Sequence, residues 1–140
     1  MILLDTNVLS ELMRPVPDEG VERWLADQTD GSVFVSAITE AGLRYGAALL
    51  PKGRRKSTLA AAIEALLGED FSGRVLPFDS AAAVEFAEIA AKRREAGRPI
   101  SQADAQIAAI ARSWGATLAT RDVVDFEECG IGVVNPWTEG

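Results

Sequence analysis

The 140 residues suit one domain, spanning 1–140, with a hydrophobic core of its own. There is no histidine and a single cysteine, Cys129, which excludes imidazole bases, histidine-ligated zinc, thiolate metal cages and an intrachain disulfide. The 21 acidic and 14 basic residues give a net charge of -7, whereas nucleic-acid-binding proteins usually carry a basic excess. Carboxylates, hydroxyls, amines and the backbone remain as the groups available for chemistry.

Short apolar runs alternate with segments of helical periodicity along the chain. The pattern predicts, in order, a strand at 2–4, helices through 8–12 and 21–25, a strand at 32–38, helices at 39–50 and 58–67, an extended segment at 75–78, helices at 81–95 and 101–114, and strands at 117–120 and 132–134. Ile107, Ile110 and Trp114 are expected to face inward. Trp24 and Trp137 are likewise interpreted as core or interface residues. This alternation indicates an α/β fold whose parallel sheet is covered on both faces.

Four carboxylates lie near the ends of predicted strands. Asp5 directly follows the first strand, Glu40 lies just after the second, and Asp122 follows the strand at 117–120. Asp104 lies in the first turn of the helix that leads into that same strand. Because sites in parallel sheets form beyond the carboxyl ends of the strands, three or four of these acids are expected to converge on one crevice.

Clustered carboxylates repel one another. Two carboxylates roughly 4 Å apart repel by about 4 kcal/mol at an effective dielectric constant of about 20, so at least one would stay protonated well above its usual pKa. Mg²⁺ or Mn²⁺ would remove this conflict because both ions prefer oxygen ligands. A metal-activated water would then act as a nucleophile without any histidine.

Each acid also has a simpler interpretation. The segment 5–7 fits a helix N-cap, and Ser101 with Asp104 fits a capping box before an apolar run. Asp122 and Asp125 also fit as solvated loop acids. The sequence is consistent with both interpretations, and capping is compatible with metal binding.

Eight of the 14 cationic residues fall in two clusters, which predicts local positive patches on an acidic body. The clusters are Lys52, Arg54, Arg55 and Lys56, and Lys92, Arg93, Arg94 and Arg98. Such runs are more commonly the solvated faces of helices.

The first residues of the sequence contain too few consecutive apolar residues, and too many charges, to predict a signal peptide or a membrane-spanning helix. The single cysteine favours a cytoplasmic setting.

Four strings in order, LLDTNVLSEL, SAITEAGLRYG, SQADAQIAAIA and ATRDVVDFEECG, resemble those of PIN-domain ribonucleases. They are most similar to VapC-type toxins of toxin–antitoxin pairs, and RVLPFD and VVNPW resemble the FitB-like branch. The resemblance runs over nearly the whole chain. It implies a PIN-like three-layer α/β/α fold with a central parallel sheet of four to five short strands.

The resemblance also implies an activity, a metal-dependent endoribonuclease that cuts single-stranded or loop RNA and leaves 5′-phosphate and 3′-hydroxyl ends. Its metal ligands for Mg²⁺ or Mn²⁺ would be Asp5, Asp104 and Asp122. The Asn7 amide and the Thr120 hydroxyl match positions that support the acids or the substrate. Both cationic clusters become candidates for contacts with the RNA backbone.

The implied partners are a cognate antitoxin of the VapB or FitA type and a second copy of the chain. A homodimer is expected, or a heterotetramer or larger assembly with antitoxin. No association with a membrane is expected. Such antitoxins lay a helix or extended segment in an apolar groove, often with a basic side chain in the acid cluster. Exposed apolar side chains are therefore expected in the first quarter of the chain.

One position departs from the family's pattern, S-x-I-T-x-x-E-L. Gly42 occupies the place of the usual glutamate, and Glu40 lies two residues earlier, about 200° away around a helix. Either a shifted helix start lets Glu40 substitute, or the site has lost a carboxylate and the domain binds antitoxin or RNA with little turnover. A third interpretation, a haloacid-dehalogenase-like phosphatase, requires an aspartate at position 7, which is occupied by Asn7.

Overall fold

A five-stranded parallel sheet organises the computed structural model, which describes residues 1–139. The strands are β1 (Ile2–Leu4), β2 (Val33–Ser36), β3 (Val75–Leu76), β4 (Thr117–Ala119) and β5 (Val133–Val134). Their order is β3-β2-β1-β4-β5, and every pairing is parallel. The predicted parallel sheet of four to five short strands is confirmed. Because β1 lies between β2 and β4, the residues that follow these three strands share one edge.

Seven α-helices are present within residues 1–139. They are α1 (Thr6–Leu12), α2 (Glu19–Ala26), α3 (Ala37–Ala48), α4 (Arg54–Ala65), α5 (Ser80–Glu95), α6 (Gln102–Trp114) and α7 (Pro136–Glu139). A π-helical turn (Leu66–Asp70) extends α4, and a 3-10 turn (Val123–Phe126) follows β4. Four helices begin at a side chain that accepts the backbone N–H three residues later, namely Asp18, Ser36, Asp79 and Ser101.

The sheet separates two hydrophobic cores, since successive side chains of a strand point to opposite faces. In β1, Leu3 packs with residues of α5 and α6, whereas Leu4 packs with residues of α1 to α4. In β4, Leu118 packs in the same core as Leu3, and Ala119 packs in the same core as Leu4. Helices therefore cover both faces, which is the expected three-layer arrangement. Among residues 1–139, every helix is too short or too polar to span a membrane.

Several predicted boundaries were wrong. The second strand ends at Ser36 rather than at 38, because the Ser36 hydroxyl accepts the Thr39 N–H and starts α3. Trp114 is 50% exposed rather than inward, because α6 ends there and the chain turns at Gly115 in a left-handed conformation. The short helix α7 was not predicted, and α4 begins four residues earlier than expected, within the first cationic cluster.

Candidate active site

A cavity of about 600 Å³, here called the acid cavity, opens at the carboxyl edge of β1 and β4. Asp5, Asp104 and Asp122 all line it. Asp5 follows β1, Asp122 follows β4, and Asp104 lies in the first turn of α6. The structure thus brings together three of the four acids that the strand-end argument singled out.

Asp5 is the most buried of these acids, with 5% of its surface exposed. Its Oδ1 accepts the Thr6 N–H at 2.8 Å, and its Oδ2 accepts the Thr120 hydroxyl at 2.7 Å. Burial raises the pKa of Asp5, the negative charges of Asp104 and Asp122 raise it further, and the two hydrogen bonds work against the rise. Asp5 therefore caps α1 and faces the acid cavity as well.

Asn7 and Thr120 connect Asp5 to Asp122. The Asn7 amide nitrogen donates to Asp122 Oδ2 at 3.1 Å and to the Thr120 hydroxyl oxygen at 3.3 Å. The Asp122 N–H also donates to the Thr120 hydroxyl oxygen, at 3.0 Å. These contacts fix the orientation of two carboxylates that come from different strands.

Asp104 is half-buried, and its N–H donates to the Ser101 hydroxyl oxygen at 3.2 Å, as the capping interpretation expects. Burial raises the pKa of Asp104, and the charges of Asp125 and Asp122 add to the rise. Capping by Ser101 leaves the Asp104 carboxylate beside the acid cavity. The capping and the metal-ligand interpretations of this turn are therefore compatible.

The donors in the acid cavity suit a hard cation. Within residues 1–139, the Asp, Glu and Cys side chains form no ready-made group of three that could hold a metal ion. The cavity nevertheless presents carboxylate oxygens, the ligands that Mg²⁺ and Mn²⁺ prefer. Burial and like-charge repulsion raise the pKa values of Asp5 and Asp104. A divalent cation would offset both effects, because it stabilises the ionised carboxylates.

Gly42 lines the acid cavity, and Glu40 does not. The Glu40 carboxylate instead accepts a hydrogen bond from Arg44 Nε at 2.9 Å, and Arg44 also pairs with Glu64 on α4. Although α3 begins at Ala37, two residues before the predicted start, this shift does not turn Glu40 toward the acids. A Cβ added at Gly42 would meet no atom within 4 Å.

Comparison with known proteins identifies the fold. The sequence profile described as "PIN domain" matches residues 2–130. The chain belongs to the PIN domain family. It is 42% identical over 137 residues to the VapC ribonuclease Y4jK of Sinorhizobium fredii, covering 98% of each chain. It is 44% identical to the toxin FitB of Neisseria gonorrhoeae, covering 98% of this chain and 99% of FitB.

Among solved structures, this PIN domain is similar to FitAB bound to an IR36 DNA fragment. The TM-score is 0.89 with 44% identity, over 98% of this chain and 96% of the other. The resemblance to VapC-type toxins of the FitB-like branch, and the PIN-like fold it implied, are confirmed. FitAB and several other solved structures similar to this chain are complexes of toxins with their antitoxins, and some of them contain DNA.

The second cationic cluster of the PIN domain is only partly a surface patch, because Lys92 and Arg94 are exposed whereas Arg93 and Arg98 are engaged within the protein. Arg93 is only 5% exposed, and it donates to the backbone carbonyl oxygens of Arg98, Asp125 and Glu127 at 2.7, 2.9 and 3.1 Å. Arg98 forms ion pairs with Glu127 and Glu128. The interpretation of Arg93 as a contact for RNA is therefore wrong. Its contacts hold the segment that follows Asp122.

The first cationic cluster is more accessible. Lys52, Arg54 and Arg55 are exposed, whereas Lys56 donates to the Ala48 carbonyl oxygen at 3.2 Å. Arg54 and Arg55 line an apolar cavity of about 700 Å³ together with Met13, Pro15, Thr58, Leu59 and Ala62. These cations lie at the start of α4, outside the acid cavity.

Replacing Arg93 with methionine should lower the free energy of unfolding by about 2 kcal/mol or more. Methionine fills similar space but leaves three backbone carbonyls without their donor, and each unsatisfied buried group costs about 1–3 kcal/mol. The matched control is Arg94→Met, since Arg94 is exposed on the same helix. Urea unfolding measures both variants. Equal stabilities for the two would contradict this role for Arg93.

Several residues of the acid cavity were not identified as site residues from the sequence, among them Glu11, Arg121 and Trp137. Glu11 is 6% exposed and accepts hydrogen bonds from Arg14 and from the Asp18 N–H, which joins α1 to the start of α2. Its position four residues after Asn7 could have placed it on the same helix face. Trp137 had no such signal, because α7 is too short for periodicity.

Proposed function

We propose that this PIN domain is a metal-dependent endoribonuclease toxin of a VapBC-type pair, which cleaves single-stranded or loop RNA. The observation that supports this most is the convergence of Asp5, Asp104 and Asp122 on one cavity. The names ribonuclease and toxin, borne by relatives that align over nearly the full chain, support the substrate class and the biological role.

In this proposal, Asp5, Asp104 and Asp122 hold Mg²⁺ or Mn²⁺, which when bound supplies Lewis-acid chemistry at the scissile phosphate. The Thr120 hydroxyl donates a hydrogen bond to Asp5 and keeps that carboxylate oriented toward the cavity. Asn7 does the same for Asp122 through its amide. Water, rather than the ribose 2′-hydroxyl, attacks phosphorus and the bond to the 3′-oxygen breaks, so the products carry 5′-phosphate and 3′-hydroxyl ends.

The proposed partner is a cognate antitoxin of the VapB or FitA type. An acidic cavity in a chain of net charge -7 would attract a basic antitoxin side chain. Val16 is 80% exposed, and Met13 and Pro15 line the apolar cavity near Arg54, which agrees with an interface in the first quarter of the chain. We further propose a homodimer, a larger assembly with antitoxin, and a cytoplasmic location.

A second candidate function rests on Gly42. Glu11, the glutamate that lines the acid cavity, is held by Arg14 and by the Asp18 N–H, so we do not take it as a replacement for the missing carboxylate. A domain with this deficit could bind RNA or antitoxin with little turnover. The two candidates differ in a single measurable quantity, the rate of RNA cleavage by wild-type protein in Mn²⁺.

Cleavage of an end-labelled single-stranded RNA tests the proposal. We expect cleavage in Mg²⁺ or Mn²⁺, none in EDTA, and a loss of about 100-fold or more in Asp104→Asn, because even outer-shell partners of a metal cost about 10- to 100-fold. The control is Asp30→Asn, the same change at an exposed aspartate that does not line the acid cavity.

Identical rates for the wild type and Asp104→Asn would refute the catalytic assignment. Product ends that carry a 2′,3′-cyclic phosphate would refute attack by water. If the wild-type protein binds Mn²⁺ and RNA but does not cleave, the second candidate function replaces the first.

A further inference from the structure

An arginine and a tryptophan are stacked at the rim of the acid cavity. The guanidinium carbon of Arg121 lies 4.9 Å from the centre of the Trp137 ring, and both side chains line the cavity. Arg121 follows β4 and Trp137 follows β5, its paired neighbour in the sheet. The pair therefore lies beside Asp122 and is not a distant surface feature.

The backbone at both positions is anchored, although the Arg121 residue is exposed. The Arg121 N–H donates to the Asn7 side-chain oxygen at 3.3 Å. The Trp137 N–H donates to Asn135 Oδ1 at 2.9 Å, at the start of α7. A ligand that meets this pair would find a surface that is already positioned relative to the acids.

The charge of Arg121 is not neutralised by an ion pair. Arg14 and Arg121 are the two arginines that line the acid cavity, and Arg14 is paired with Glu11 at 3.1 Å. Within residues 1–139, Arg121 forms no salt bridge. An unneutralised planar cation stacked on an indole is a surface on which a flat, electron-rich ring can stack.

We propose that Arg121 and Trp137 form a nucleobase subsite, which stacks the base of a nucleotide next to the scissile phosphate. Single-stranded RNA is commonly held by stacking of its bases on aromatic rings and on guanidinium planes. This inference deepens the proposed function and rests on it. A base extends the stack on the guanidinium side, while the neighbouring phosphate lies toward the acids.

An RNA base fits the pair better than an antitoxin side chain does. Basic antitoxin groups would be repelled by the Arg121 cation, whereas the carboxylates deeper in the cavity would attract them. A phosphate alone would need only the charge of Arg121. The Trp137 ring beneath that charge favours a flat ligand.

The test measures affinity for a fluorescent single-stranded RNA by anisotropy, in buffer with Ca²⁺ in place of Mg²⁺ to limit cleavage. A series of oligonucleotides carries one abasic nucleotide at successive positions. For the wild type, we expect one position at which the abasic residue weakens binding by about 5- to 30-fold, the effect of losing one stacked base.

Two variants separate stacking from simple charge attraction. Arg121→Gln should weaken binding of the intact RNA by a similar factor and should abolish the extra loss at the sensitive abasic position. Arg121→Lys keeps the charge without the plane, so it should also lose this sensitivity. Arg23→Gln, an exposed arginine outside the acid cavity, is the matched control and should match the wild type.

Trp137→Phe keeps an aromatic ring and should retain the abasic-sensitive position, with at most a small loss of affinity. This variant checks the ring contribution without emptying the space beside α2, against which α7 packs. In cleavage assays with Mn²⁺, Arg121→Gln should raise KM more than it lowers kcat.

Several outcomes would overturn the subsite. These are wild-type affinity in Arg121→Lys, equal losses at every abasic position, no binding of RNA at all, and weaker binding of an antitoxin peptide by Arg121→Gln with unchanged RNA affinity. An abasic-sensitive position without any cleavage would instead leave the subsite intact and refute the nuclease proposal. Cleavage without that position would refute only the subsite.

Discussion

Replacing Gly42 with glutamate should raise the rate of RNA cleavage in Mn²⁺ by about tenfold or more, which corresponds to about 1.4 kcal/mol of transition-state stabilisation. Gly42 lines the acid cavity, and a Cβ at this position meets no atom within 4 Å. The first atom of the new side chain therefore displaces no neighbour, and the carboxylate is expected to enter the cavity. It adds an oxygen ligand to a set that lacks one at this position.

The same substitution has a second, separable effect on stability. A glycine inside a helix costs about 1 kcal/mol relative to alanine, so a good helix former such as glutamate or glutamine at position 42 should stabilise α3. A fourth carboxylate near Asp5 opposes this gain when no cation is present. The control Gly42→Gln has the same shape and the same helical benefit but carries no charge.

Cleavage rates of the wild type, Gly42→Glu and Gly42→Gln should be compared at several Mn²⁺ concentrations. Only the glutamate variant should gain activity, and the gain should be largest at low Mn²⁺. Equal rates for Gly42→Glu and Gly42→Gln would contradict the view that position 42 belongs to the metal site.

Replacing Asp5 with asparagine should abolish cleavage and at the same time stabilise the protein in EDTA at neutral pH. Asparagine has nearly the same shape, and its side-chain oxygen can accept the Thr6 N–H, while only the hydrogen bond that Asp5 accepts from the Thr120 hydroxyl is lost. The loss of activity should be about 100-fold or more, because one of the proposed metal ligands is removed. The gain in stability follows from the raised pKa of Asp5 in the folded state.

The pH range of this gain follows from proton linkage. Below the ordinary value of 3.8, Asp5 is protonated in both states and costs no stability. As the pH rises, the unfolded chain ionises first, so the folded state loses stability until the pH passes the raised folded pKa. Above that pH the difference between Asp5→Asn and the wild type is constant.

Thermal unfolding of both proteins in EDTA across this pH range measures the effect, with Asp30→Asn as the exposed control outside the acid cavity. Saturating Mg²⁺ should reverse the order by stabilising only the wild type. A wild type that remains more stable than Asp5→Asn at neutral pH in EDTA would contradict this electrostatic description of the cavity.

The strand-end acids could be predicted from sequence because their placement depends on local signals. The run at 2–4 is short and apolar, so Asp5 had to follow a buried strand, and Ser101 marked the start of the helix that carries Asp104. Helical geometry also predicted that Glu40 and Gly42 face different directions. The structure places Gly42 at the cavity and Glu40 beside Arg44.

Residues that depend on contacts distant in sequence could not be predicted. Arg93 lies among cationic neighbours that are typical of a solvated helix face, yet it is buried because the segment after Asp122 packs over it. The stack of Arg121 on Trp137 depends on the pairing of β4 with β5, and β5 is only two residues long. No local sequence pattern predicts either contact.

Calorimetric titration with Mn²⁺ at neutral pH tests the central claim most directly, that separate parts of the chain together form one divalent-cation site. We expect binding at about millimolar affinity or tighter by the wild type, and a loss of about tenfold or more in each of Asp5→Asn, Asp104→Asn and Asp122→Asn. Asp30→Asn, an exposed change outside the acid cavity, should bind as the wild type does. Mn²⁺ binding that is unchanged in all three cavity variants would show that these acids do not form a cation site.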